Sequence, residues 1–104
     1  MKMLIAALAI LFPLAALAGG TYRDPEADLV LELKDDQCTD KKVLAFINPA
    51  LHKQFRAASV TQGGTNYAAC WGEPPFAPEL YFIVDERGER GAIEKAAITP
   101  TTGI

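Results

Sequence analysis

The side chains that could do chemistry in this sequence are few: Cys38 and Cys70, His52, the acids Asp35, Asp36 and Asp40, and the adjacent carboxylates Asp85 and Glu86. Thiol catalysis or a zinc site would want a Cys-x-x-Cys spacing or further ligands, and the chain has two cysteines far apart and one histidine. His52 is the only general base of the usual kind, but it lies between Leu51 and Lys53 on an expected solvent-facing helical turn, near Arg56. Asp35, Asp36 and Asp40 flank Cys38 without the alternating ligands or the glycine of a calcium loop, so they read as a solvated turn. Asp85 and Glu86 are the carboxylates a small cell-wall enzyme would use. Neighbouring strand residues point to opposite faces, which argues against their cooperation. No catalytic residue, metal or cofactor is expected.

Two surfaces remain as binding candidates. Lys41, Lys42, Lys53 and Arg56 are expected to gather on the outer face of a helical segment as a basic patch on an acidic protein. The second surface is the proline-rich stretch Glu73-Pro74-Pro75-Phe76-Ala77-Pro78 with Tyr81 close behind. Aromatic residues beside stiff prolines supply contact area at small entropic cost. Here Phe76 is expected to be exposed, Trp71 to pack on the Cys38–Cys70 bridge, and Phe82 to be buried.

The elements that position these residues follow a leader. Met1-Lys2-Met3 is positively charged, Leu4 to Leu17 is an apolar run of about 14 residues, and Ala16-Leu17-Ala18 is a small-residue exit. This is the layout of a secretory signal over residues 1–18, cleaved after Ala18. The run falls short of the roughly 20 residues of a membrane span and contains Pro13, so no permanent anchor is expected. Export would place the protein in the periplasm or outside the cell, where Cys38 and Cys70 would form a disulfide. Losing Lys2 leaves nine Lys and Arg against thirteen Asp and Glu, which gives nucleic acid no broad basic face. A chain this short makes one domain with a marginal core, for which a covalent staple is a real gain.

Residues 19–27 are polar and interrupted by Pro25, and read as a flexible lead-in to a domain over 28–99. In Leu29-Val30-Leu31-Glu32-Leu33-Lys34 the leucines alternate as in a half-buried strand. Thr39 or Asp40 caps a short helix through Val43, Leu44, Phe46 and Ile47, and Asn48-Pro49 opens a further helical turn to about Gln54. That turn puts Leu51 and Phe55 on its inner face. Residues 55–62 and 65–71 form a hairpin about Gly63-Gly64. The prolines of 73–78 make a loop, Leu80-Tyr81-Phe82-Ile83-Val84 an interior strand, Asp85 to Gly88 a turn, and Gly91 to Glu94 a last strand. Residues 100–104 read as a free tail. The fold class is therefore α+β: a small antiparallel sheet or open barrel with one or two short helices.

A strand ending in Cys38, Val43-Leu44, Phe55-Arg56-Ala57, Tyr67 before Cys70-Trp71, and Asp85-Glu86-x-Gly88-x-x-Gly91 together resemble small exported proteins of prophages and Gram-negative bacteria. The resemblance implies export, a Cys38 to Cys70 pairing and a Gram-negative setting, and it brings no catalytic or binding residues. The expected function is non-enzymatic binding of an envelope or secreted macromolecule through the 73–78 loop. A small cell-wall enzyme or enzyme inhibitor, and a self-assembling structural module, are the alternatives.

Overall fold

A computed structural model describes residues 19–100. The expected leader over 1–18 and residues 101–104 lie outside the described residues. Among the described residues, seven strands form one sheet in the order β6-β5-β4-β3-β2-β1-β7, every neighbouring pair antiparallel. They are β1 Gly20–Asp24, β2 Leu29–Gln37, β3 Arg56–Gln62, β4 Thr65–Gly72, β5 Leu80–Asp85, β6 Arg90–Glu94 and β7 Thr99–Pro100. One short helix, α1 Lys41–Leu44, and a 3-10 segment, Pro49–Gln54, lie between β2 and β3. The sheet curls into an antiparallel half-barrel, which lies within the expected antiparallel sheet or open barrel with short helices.

Strand alternation divides the apolar residues between two cores. The inner core takes Leu31 and Leu33 of β2, Ala58 and Val60 of β3, Ala69 and Trp71 of β4, and Ile83 of β5. Tyr22, Tyr81, Ile93 and Ile98 close over it, so strands from both ends of the sheet meet around one cluster. Burying one such aliphatic side chain contributes roughly 1.5–3 kcal/mol. The second core lies on the outer face of β4 and β5. There Val43, Ile47 and Phe55 from the helical segment pack on Val84 and on the Cys38–Cys70 disulfide. Two of its six buried residues are the bridged cysteines, so the staple is itself a large part of what holds the helical segment down.

Cys38 and Cys70 are bonded across a sequence separation of 32, their Cα atoms 5.7 Å apart. The bridge ties the chain just after β2 to the second arm of the hairpin, as expected. Trp71 does not pack on it. Adjacent strand residues face opposite ways, so Cys70 enters the outer core and Trp71 the inner one. There the indole Nε1–H donates to Lys34 O at 2.8 Å, and the ring meets Tyr81 edge to face at 4.9 Å.

The stretch 19–27 is not a flexible lead-in. Gly20 to Asp24 pair with Leu33 to Leu29 residue for residue. Pro25 opens a 3-10 turn capped by Asp24, whose carboxylate accepts from Glu26 N, and Asp28 at φ 52° returns the chain into β2. Polar composition hid this strand because, of the three residues on its inner face, Gly20, Tyr22 and Asp24, only Tyr22 carries a large apolar side chain. Gly20 has no substitute: a Cβ there would collide with the Ile98 side chain and the Thr99 carbonyl oxygen. Pro100, expected in a free tail, instead pairs with Gly20, as Thr99 does with Thr21, to make β7. At the hairpin tip Gly63 and Gly64 take φ 60° and 84°, the left-handed pair their sequence called for.

Candidate functional site

Asn48 accepts a hydrogen bond from Ala50 N at 2.9 Å and so starts the 3-10 segment in which Pro49 takes the first position. The segment leaves Leu51 exposed and drives Phe55 into the outer core, where its ring stands edge-on to Phe82 at 6.5 Å. Both flank the same groove, but the shared inner face expected for Leu51 and Phe55 is only half realised. Gly72 ends β4 directly beneath Phe55. A Cβ at Gly72 would sit 3.2 Å from the Phe55 ring, so any larger residue would push the ring by a few tenths of an ångström.

From Gly72 the chain enters the proline loop. Two successive turns shape it, Ala77 N donating to Pro74 O at 3.2 Å and Leu80 N to Ala77 O at 3.1 Å. Lys95 anchors its two ends: its Nζ meets Glu73 Oε2 at 2.6 Å, and its amide donates to Glu79 O at 2.9 Å. Held this way, the loop lifts Phe76 into solvent at 87% exposure, the most exposed large apolar side chain described. Between the loop and the 3-10 segment runs an open apolar groove of about 330 Å³, with Leu51 and Phe55 on one side, Pro74 to Phe76 on the other, and Phe82 in its floor. Phe82 is therefore half-buried, not buried, because the groove opens onto it.

Of the loop residues singled out from sequence, Glu73, Pro74, Pro75 and Phe76 all line this groove. Tyr81 does not. It faces the inner core, packed on Trp71 with Lys95 Nζ 5.1 Å above its ring, because it precedes Phe82 by one strand residue. Leu51, Gly72 and Phe82 complete the groove, and sequence pattern missed them as site residues. Their apolar types read as core or turn; the register of β4 against β5 sets Gly72 opposite Phe82, and the 3-10 segment brings Leu51 to the same groove.

The basic patch does not assemble as expected. Lys41, Lys42 and Lys53 are exposed on the helical segment. Arg56 lies on the inner-core face of β3, 5.4 Å over the Trp71 ring and 3.6 Å from Asp35. His52 is half-buried and not solvent-facing: its Nε2 lies 3.0 Å from Leu44 O and 2.8 Å from Ile47 O. Two carbonyl acceptors require that nitrogen to carry the proton, so His52 caps the end of the preceding helical turns.

Asp40, Asp85 and Glu86 have structural partners. Asp40 caps α1 by accepting from Lys42 N and Val43 N. Asp85, 3% exposed, accepts from Arg87 N at 2.8 Å, Glu89 N at 3.1 Å, Arg87 Nε at 3.1 Å and Arg87 Nη2 at 2.6 Å. Its hydrogen bonds push the Arg87 guanidinium above its ordinary value, while the ring of Tyr67 lies 3.8 Å beneath it. Glu86 accepts from Ala68 N at 2.9 Å and its own amide donates to Ala68 O. Asp85 and Glu86 thus build the β5–β6 turn and splay to separate partners. Among the described residues no group of three or more His, Cys, Asp or Glu is placed to hold a metal ion.

No family model matches the chain, and neither a curated protein nor a solved structure matches it.

Proposed function

We propose that this chain is an exported, non-enzymatic protein that works by binding another envelope or secreted protein through the groove between the proline loop and the 3-10 segment. The observation that carries this reading is Phe76, almost wholly exposed at the lip of an apolar groove and held there by a loop anchored at both ends. A stiff loop loses little entropy when it is covered, and an aromatic knob beside a hole is the arrangement of an interface hot spot. The partner is one that offers an apolar side chain to the groove and an apolar pocket to Phe76.

Export is part of the proposal. It is supported by the leader layout of residues 1–18, by the disulfide, and by β1 starting at Gly20, two residues past the expected exit. No helix among the described residues is long and apolar enough to cross a membrane. A Gram-negative, phage-associated setting belongs to the same proposal and rests on the resemblance in sequence alone.

Parallel capture from an envelope extract with the wild-type domain and with Phe76→Ala tests it. A partner retained by the first and lost by the second, with thermal stability unchanged to within about 0.5 kcal/mol, is the expected result. Equal capture by both would place the contact elsewhere.

A further inference from the structure

The two edges of the sheet are finished differently. On the β7 side the outermost described strand, Thr99–Pro100, carries Pro100, whose nitrogen has no hydrogen to offer a further strand. On the other side, among the described residues, β6 pairs with β5 alone, and it has no proline. An open groove of about 330 Å³ separates its inner face from Tyr22 of β1, so β1 does not cover it. Asp85 N donates to Glu89 O and Lys95 N to Glu79 O, which fixes the parity of the ladder. The amides and carbonyls of Gly91 and Ile93 then turn toward β5, and those of Arg90, Ala92 and Glu94 turn outward.

The same strand has a charge pattern that answers itself. Glu89-Arg90-Gly91-Ala92-Ile93-Glu94-Lys95, laid antiparallel against a second copy about Ala92, sets Arg90 opposite Glu94 and Glu89 opposite Lys95, each pair twice. Arg90, Ala92 and Glu94 are the residues whose backbone groups point outward. Register and charge therefore select one alignment. We propose that two copies of this chain join through antiparallel pairing of β6 with β6, centred on Ala92, to make one continuous sheet across a two-fold axis. Arg90 and Glu94 are exposed on the helix-bearing face, where directly opposite side chains meet. Arg90 Nη2 is engaged by Phe46 O at 2.8 Å, which fixes the guanidinium beside the edge and leaves its other donors for Glu94 of the second copy. The Arg90–Glu94 pairs dominate, because Lys95 is already bonded to Glu73. None of the residues lining the groove lies in β6, so the dimer presents two grooves, and the inference goes beyond the binding reading.

Sedimentation equilibrium of the purified exported protein tests it. The wild type is expected to show a concentration-dependent monomer–dimer equilibrium. Ala92→Pro removes an outward amide without touching the β5 ladder and is expected to leave only monomer. Glu94→Arg turns both central pairs repulsive and should raise the dimer dissociation constant by about tenfold. Arg90→Glu combined with Glu94→Arg restores complementarity and should return it to within a few-fold of wild type. Circular dichroism checks that each variant is folded, and the charge swaps decide the matter if the proline variant is not. A wild type that stays monomeric at all concentrations overturns the proposal. So does a Glu94→Arg variant that dimerises like wild type, a double swap no better than the single, or loss of the dimer in Phe76→Ala.

Discussion

Reducing the Cys38–Cys70 bridge should cost this domain a large part of its stability, and the amount follows from the loop it closes. With a sequence separation of 32, the chain-entropy relation gives about 3.7 kcal/mol at 25 °C. A domain of this size has a total of roughly 4–12 kcal/mol to lose. The bridge also forms part of the outer core, but reduction leaves both sulfur atoms in place, so the loss is mainly freedom returned to the unfolded chain. The temperature midpoint should fall by roughly 15–30 °C. Urea unfolding with and without reductant, read by the fluorescence of Trp71, measures it directly, since Trp71 is the only tryptophan and is buried. The reduced chain should also unfold with a steeper urea dependence, because its unfolded state is more expanded. A reduced protein within about 1 kcal/mol of the oxidised one, with the same slope, would refute the reasoning. The outer core would then be held by Val43, Ile47 and Phe55 alone, and an oxidising compartment would no longer be needed to keep the groove formed.

Asp85→Ala should destabilise the fold by roughly 2–4 kcal/mol, because it leaves the amides of Arg87 and Glu89 without their acceptor; Asp85→Asn, which keeps one oxygen, should lose less than the alanine variant in the same urea assay. Gly20→Val should unpin β7 from β1, seen as early amide exchange at Thr21 and Thr99, while Gly19→Ala leaves exchange there unchanged. Mass spectrometry of protein recovered from periplasm or medium should give a chain beginning near Gly19, and an intact Met1 in a membrane fraction would contradict export.

What could be read from sequence is what local physics determines. The alternation of Leu29, Leu31 and Leu33, the glycine pair at the hairpin tip, the Asn48-Pro49 cap and the prolines of the loop each specify their element within a few residues. Phe76 was legible for the same reason, since a phenylalanine between prolines has no strand or helix to bury it. The misreadings are failures of long range or of face. Residues 19–27 look like linker until β2 and β7 are there to pair with them. Nearness in sequence to Cys70 and Phe76 does not give the faces of Trp71 and Tyr81, because the two-residue period of a strand turns each to the opposite side. The same period sets Arg56 over Trp71 on the inner-core face. His52 could not be placed because its acceptors, Leu44 O and Ile47 O, come from the preceding turn. The groove itself was not legible, as its floor depends on the register that brings Gly72 beside Phe82.

The most direct test of the groove as the contact surface is site-specific photo-crosslinking in the exporting cell. A photoreactive phenylalanine analogue would stand at position 76 and, in a second strain, at Asn66, exposed near the hairpin tip. A discrete heavier adduct from position 76, absent from position 66 and suppressed when Leu51→Lys places a charge in the groove, is the result expected. An adduct formed equally from both positions, or from 66 alone, would contradict the assignment of Phe76 and its groove to partner binding.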